Sequence, residues 1–251
     1  MTPIIDLVRV SKVFGTQVAV DNLSLAVFPG EVVALVGQTG AGKSTIMNLI
    51  LGQIQATSGK ITVDGCDPYA DYQALRGKVA VSFQSDRLLP WRTTRENVEL
   101  GLEILHRPKS QRKTLATQWL NRVKLETAHH EKYPHQLSGG MRQRVSFARA
   151  LVVDPDLILL DESFSQLDHV TSKTLRVDFL TLVKELHKTC VLITHRIDDA
   201  LEMADRIIVL GSPGVIRLEL TITDAMKTDQ AWLATTTRNI ATVMEAHLSS
   251  E

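Results

Sequence analysis

The sequence predicts an α/β protein: a mostly parallel sheet with helices, an antiparallel β subdomain ahead of it, and an α-helical subdomain inserted into it. Three observations carry this. The run Glu31 to Val36 is almost wholly apolar without alternation, as a strand buried on both faces is, and a glycine-rich loop and a helix starting near Lys43 follow it. From Leu157 onward, short apolar runs alternate with stretches of helical spacing, the pattern of βα units. Between these two regions the chain turns helical and the alternation stops.

Taken in order, Ile5 to Phe14 and Val18 to Val27 read as strands, and Pro29-Gly30 turns the chain into the buried strand. Ser58 to Val63 and Val79 to Phe83 follow as strands. Thr94 to Leu105 and Gln111 to Leu125 have helical spacing, separated by the breaker His106-Arg107-Pro108. A further helix spans Ser138 to Val153 and stops at Asp154-Pro155. Leu157 to Leu160, a helix over Val170 to Leu186, Cys190 to Thr194, a short helix ending at Met203, and Ile207 to Leu210 complete the alternation. The tail, Asp224 to Glu251, reads as one amphipathic helix.

Composition narrows the function classes. The 251 residues carry 28 basic and 28 acidic side chains, so the chain lacks the basic footprint of a dedicated nucleic-acid binder. Cys66 and Cys190 are too few for a disulfide framework, which makes a reducing cytosol the default. No apolar run approaches the roughly 20 residues that cross a bilayer, and Met1 to Val10 has no basic n-region or apolar h-region of a secretory leader. A membrane role, if there is one, runs through a partner.

Two motifs make a nucleotide site. In Gly37-Gln38-Thr39-Gly40-Ala41-Gly42-Lys43-Ser44-Thr45 the glycines let the backbone turn tightly and aim successive N–H groups at phosphate oxygens. Lys43 reaches the β- and γ-phosphates of ATP, Ser44 ligates Mg²⁺, and the next helix presents its positive end. The strand Leu157 to Leu160 then runs into Asp161 and Glu162, the first placed to hold Mg²⁺ and the second to polarise an attacking water.

Neither motif separates a transporter from a kinase. Leu137-Ser138-Gly139-Gly140-Met141-Arg142-Gln143-Arg144 does: it closely resembles the signature of the ABC ATPases, and the likeness runs along nearly the whole chain. Ser138 and two glycines at a helix start make a second anion site, and the resemblance implies that two cassettes pair head to tail, each signature closing over the other's ATP. On the same resemblance, Gln84 is the glutamine that contacts Mg²⁺ and the attacking water, His195 the switch histidine at the γ-phosphate, Ser165-Gln166-Leu167-Asp168 the loop across the dimer seam, and Phe14 the aromatic that stacks on adenine. Met141 and Gln143 belong to the signature contacts. The sequence departs from the family pattern at Phe14, where Tyr is usual, at Ser163, where Pro is more frequent, and at Gln166, where a small residue is expected.

The resemblance implies a single ABC ATPase domain with a P-loop NTPase (RecA-like) core over roughly 1–85 and 155–222, a helical signature subdomain over 86–154 and a C-terminal helix over 223–251. It implies a second ATPase subunit as partner, transmembrane permease subunits, a solute-binding protein, no nucleic acid, and a peripheral place on the cytoplasmic face of the membrane. Leu88-Leu89-Pro90-Trp91, after Gln84, is similar to importers of nitrate, sulfonates and taurine, which implies import of a small anion and a joint with the membrane partner. An exporter or lipid-transporter ATPase, an ABC ATPase of nucleic-acid metabolism and a P-loop metabolite kinase are the rival readings.

Overall fold

The computed structural model describes residues 1–245. In chain order the elements are β1 (Ile5–Phe14), β2 (Gln17–Val27), β3 (Val32–Val36), α1 (Lys43–Ile50), β4 (Ser58–Val63), β5 (Val79–Ser82), α2 (Thr94–Ile104), α3 (Lys109–Arg122), α4 (Gly139–Leu151), β6 (Leu157–Asp161), α5 (His169–Glu185), β7 (Thr189–Thr194), α6 (Ile197–Met203), β8 (Arg206–Gly211), β9 (Val215–Thr221), α7 (Asp224–Thr228) and α8 (Gln230–Glu245). They divide into two compact units, residues 1–75 with 189 onward, and residues 76–188. The second unit is larger than the helical stretch 86–154 alone, because β5, β6 and α5 belong to it.

In the first unit, β1 pairs antiparallel with β2 and with β4, giving the order β2-β1-β4. The second sheet of this unit runs β7-β3-β8-β9. All five residues of β3 are buried, and parallel neighbours flank it: Val36 lies opposite Thr194 on one side and Val209 on the other. A strand covered on both faces and both edges needs no polar alternation, which is why its sequence has none.

In the second unit β5 and β6 pair parallel, with Ser82 opposite Leu160. Phe147 of α4, Phe164 and Phe179 of α5 form an aromatic cluster with ring centroids 4.6 to 6.4 Å apart, tilted or edge-on as ring quadrupoles prefer. Thr93 and Glu96 close a capping box at the start of α2.

Three sequence expectations change. The tail is two helices, not one: Asp229 Oδ1 accepts from the N–H groups of Ala231 (2.9 Å) and Trp232 (3.0 Å), ending α7 and starting α8. The end of the expected tail helix, 246–251, lies outside the described residues. An unexpected strand, β9, pairs antiparallel with β8. Finally, α3 begins and ends earlier than Gln111 to Leu125, because Pro108 starts it and Lys124, with φ 59°, stops it.

Candidate functional site

The phosphate-loop sequence joins β3 to α1 in the first unit. Gly42, with φ 82°, is the residue before α1, and a Cβ there would stand 2.6 Å from the Ala19 carbonyl oxygen. At Gly37 a Cβ would meet the Leu210 carbonyl oxygen at 2.7 Å, so both ends of the loop are sealed by backbone too close for a side chain. Gly40 also has left-handed φ, at 89°. Lys43 is buried, and its Nζ donates to the carbonyls of Gly37 (2.7 Å) and Gln38 (2.8 Å). Ala41 is buried, Gln38 and Thr45 half-buried, Thr39, Gly40 and Ser44 exposed. No side chain caps α1 and no acidic residue stands in its first turn, so its positive end is not neutralised from within.

His195 belongs to the same unit. It follows Thr194, which pairs with Val36, so His195 and Gly37 leave adjacent parallel strands at one edge of the sheet. Phe14, 48% exposed at the end of β1, has the Lys12 ammonium 4.9 Å from its ring centroid.

The second unit gathers the other candidates. Asp161 closes β6 and is half-buried; Glu162 follows it in the left-handed region, φ 46°. For a non-glycine residue that conformation costs about 1–2 kcal/mol and has to be held by its surroundings. Ser165 Oγ donates to the Glu162 carbonyl (2.8 Å), and Gln84 Nε2 lies 3.4 Å from Ser165 Oγ, so the glutamine and the carboxylate loop are joined through one hydroxyl.

Ser138 caps α4, its Oγ accepting from the Met141 N–H at 3.3 Å. A Cβ at Gly139 would touch Leu167 at 3.2 Å and one at Gly140 would overlap Thr171 at 2.8 Å, so the signature turn packs on the loop carrying Asp168. Asp168 caps α5, and the Thr171 N–H on its carboxylate (2.9 Å) holds that carboxyl below the usual range. Leu137 is buried and Met141 half-buried. Gln143, grouped with the signature by sequence, points into its own unit: it is buried, with Nε2 3.4 Å from Ser82 Oγ.

The segment after Gln84 is not one exposed apolar patch. Leu88 is buried in its own unit, Leu89 half-buried and Pro90 exposed, while Trp91 stands 71% exposed. Sequence reasoning missed what shapes it. The fully buried Asn97 accepts from the Leu89 N–H (2.7 Å) and donates to the carbonyls of Leu89, Arg92 and Thr93 (3.0–3.1 Å). Arg142 Nε pairs with Asp86 (2.9 Å), and Arg149 donates to the carbonyls of Asp86 and Arg87. Burial lowers the pKa of Arg149 from the usual arginine value.

Comparison with known proteins agrees with these motifs. A family model described as ABC transporter matches residues 20–165. The choline transport ATP-binding protein OpuBA of Bacillus subtilis is 38% identical over 84% of this chain and 56% of its own length. The nitrate import ATP-binding protein NrtC of Synechococcus elongatus is 40% identical over 78% of this chain and 29% of its own. The taurine import ATP-binding protein TauB of Yersinia pestis is 43% identical, with 78% and 74% covered. The chain thus spans about half of OpuBA and under a third of NrtC. Among solved structures, the ATP-binding cassette MJ0796, a dimer in a post-hydrolysis state bound to ADP and Pi, superposes with TM-score 0.77 at 33% identity over 87% of this chain and 99% of that one.

Proposed function

The chain belongs to the ABC transporter family, and from that premise we propose that it is an ATPase subunit that powers solute import through separate membrane subunits. The observation that carries the reading is the loop Gly37 to Thr45, sealed by backbone contacts at both ends and set beside His195 on adjacent strands. That arrangement suits a polyphosphate: backbone N–H groups, an uncapped helix start and a buried ammonium act together on one anion.

In this reading Phe14 offers its ring face to adenine, Gln38 to Gly42 wrap the phosphates, and Lys43 contributes the point charge. Ser44, Gln84 and Asp161 are the residues for Mg²⁺. They are a hydroxyl, an amide and a carboxylate, the oxygen donors this ion takes. When bound, the ion would supply positive charge to offset the negative charge of the phosphates. Glu162 takes a proton from water as its oxygen bonds to the γ-phosphorus, the β–γ bridging P–O bond breaks, and ADP and inorganic phosphate leave. His195 steadies the γ-phosphate. Leu137 to Met141, with Gln143 behind them, serve the ATP of a second cassette, and Asp168 lies at that seam.

No helix among the described residues is long and apolar enough to cross a membrane. In the proposed reading the chain acts on membrane subunits from the cytoplasmic face. Pro90 and Trp91 are then the exposed residues of the Leu88–Trp91 joint, behind which Leu88 is buried and Leu89 half-buried. The cargo we propose is a small anion or zwitterion of the nitrate and taurine kind, delivered by a solute-binding protein.

The test is one co-expression experiment with the membrane subunits. Glu162→Gln should still bind ATP while turnover falls about 10³-fold, the usual worth of a positioned base. Trp91→Glu should hydrolyse ATP alone at the normal rate but fail to co-purify with the membrane subunits. Near-normal turnover with Gln at 162 would refute the assignment of the base, and assembly with Glu at 91 would refute the joint.

A further inference from the structure

We propose that Ser163 is a positioning residue for hydrolysis, its buried hydroxyl tying the turn of Glu162 to the segment that carries Gln84. The inference rests on the assignment of Glu162 as the base. Ser163 is 2% exposed, and its Oγ donates to the Ser82 carbonyl at 2.8 Å. Ser82 is the last residue of β5 and stands opposite Leu160 of β6, so the two chains leave the sheet side by side. Past that point no ladder holds them together, and the Ser163 hydroxyl bridges them where the pairing stops.

The tie sits in a built environment. The Ser82 hydroxyl lies 3.3 Å from Ser146 Oγ and 3.4 Å from Gln143 Nε2, both on α4. Glu162, at φ 46°, is bracketed by two hydroxyls, Ser165 on its own carbonyl and Ser163 on the neighbouring segment. A left-handed glutamate persists only where its surroundings over-determine it. Proline, which the family resemblance leads one to expect at 163, has no donor and cannot make this tie. In this chain a directional hydrogen bond takes over what a rigid ring would do. Losing it removes a donor from the Ser82 carbonyl and lets the Glu162 turn relax, displacing the carboxylate. The phosphate loop belongs to the other unit and contains neither residue.

The experiment uses the full chain and reads steady-state ATP turnover beside the dissociation constant of a non-hydrolysable ATP analogue. Ser163→Ala and Ser163→Cys should each lower kcat by about 10- to 100-fold, the scale of a displaced catalytic group, with the dissociation constant changed less than about twofold. Ser163→Thr, which keeps the hydroxyl, should turn over well above the Cys variant. Should the Ala protein fail to fold, the Cys and Thr pair decides, since cysteine fills the space with only a weak donor. Equal kcat for Cys, Thr and the parent overturns the proposal, as does an analogue affinity that weakens in step with kcat. A parent chain that hydrolyses no ATP removes the proposed function as well; one that does, with Cys its equal, removes only this inference.

Discussion

The phosphate loop of the first unit and the Gln84-to-Trp91 segment of the second are both irregular backbone, yet they are held in opposite ways. Gly37 to Lys43 keeps its shape because side chains are absent: backbone closes to within 2.6–2.7 Å of where a Cβ would stand, and the one ammonium present binds the loop's own carbonyls. The later segment keeps its shape because side chains are present, with Asn97, Arg142 and Arg149 each gripping main-chain or carboxylate oxygens along it. Steric exclusion leaves one backbone path and fits a site that has to be ready before its anion arrives. Side-chain ties can be remade at modest cost, which suits a segment that answers to a partner.

The comparison makes opposite substitutions fail for opposite reasons. Gly42→Ala adds one methyl where φ is 82° and a carbonyl oxygen waits at 2.6 Å. We expect a loss of about 3 kcal/mol, seen as a melting temperature lower by roughly 10 °C, together with loss of ATP binding. Asn97→Ala removes atoms instead, taking away the acceptor of the Leu89 N–H and a donor to the Leu89, Arg92 and Thr93 carbonyls, which should cost about 2 kcal/mol. Calorimetry should show the loss, while ATP analogue affinity stays near normal, because the phosphate loop is not involved. If Asn97→Ala weakened nucleotide binding as much as Gly42→Ala, the contrast between the two segments would fail.

The smallest effect concerns Asp168. Its carboxyl is held below the usual range by the Thr171 N–H, so its stabilising contribution is complete above the unfolded carboxyl pKa of about 4 and is lost as pH falls through the lower folded value. Asn caps equally well and does not titrate. Melting curves between about pH 5 and pH 2 should therefore fall less steeply for Asp168→Asn than for the parent.

What the sequence disclosed follows the same divide. Glycines at 37, 40 and 42 have few uses beside left-handed or crowded backbone, so the loop was legible, and so was the fully buried β3. Serine, asparagine and arginine serve on any surface, so nothing marked Asn97 or Arg149 before their partners were known, and Ser163 stood out only as a departure from the family pattern. Gln143 was grouped with the signature because of its place in the octapeptide, whereas the turn of α4 carries it inward. The strand Val215–Thr221 was within reach, since its apolar and polar residues alternate, and Asp229 ahead of Gln230 was a readable helix start. The roles of Phe14, Gln84, His195 and Asp168 came through the family resemblance, whereas those of Lys43, Ser44, Asp161 and Glu162 followed from their motifs.

Arg142, Gln143, Ser146 and Arg149 fall on one side of α4, and all four reach residues 82–87. Arg142 and Arg149 are seven positions apart on a helix of 13 residues, about 10 Å along its axis. Both arginines meet the segment at Asp86 and Arg87, while Gln143 and Ser146 meet it at Ser82, so it is held at two places and resists swivelling against α4. The helix has Ser138 and the signature glycines at its N-terminal end, and Gln84 lies between the two gripped places. A displacement of the Gln84 segment is thus expected to carry α4 with it as one body.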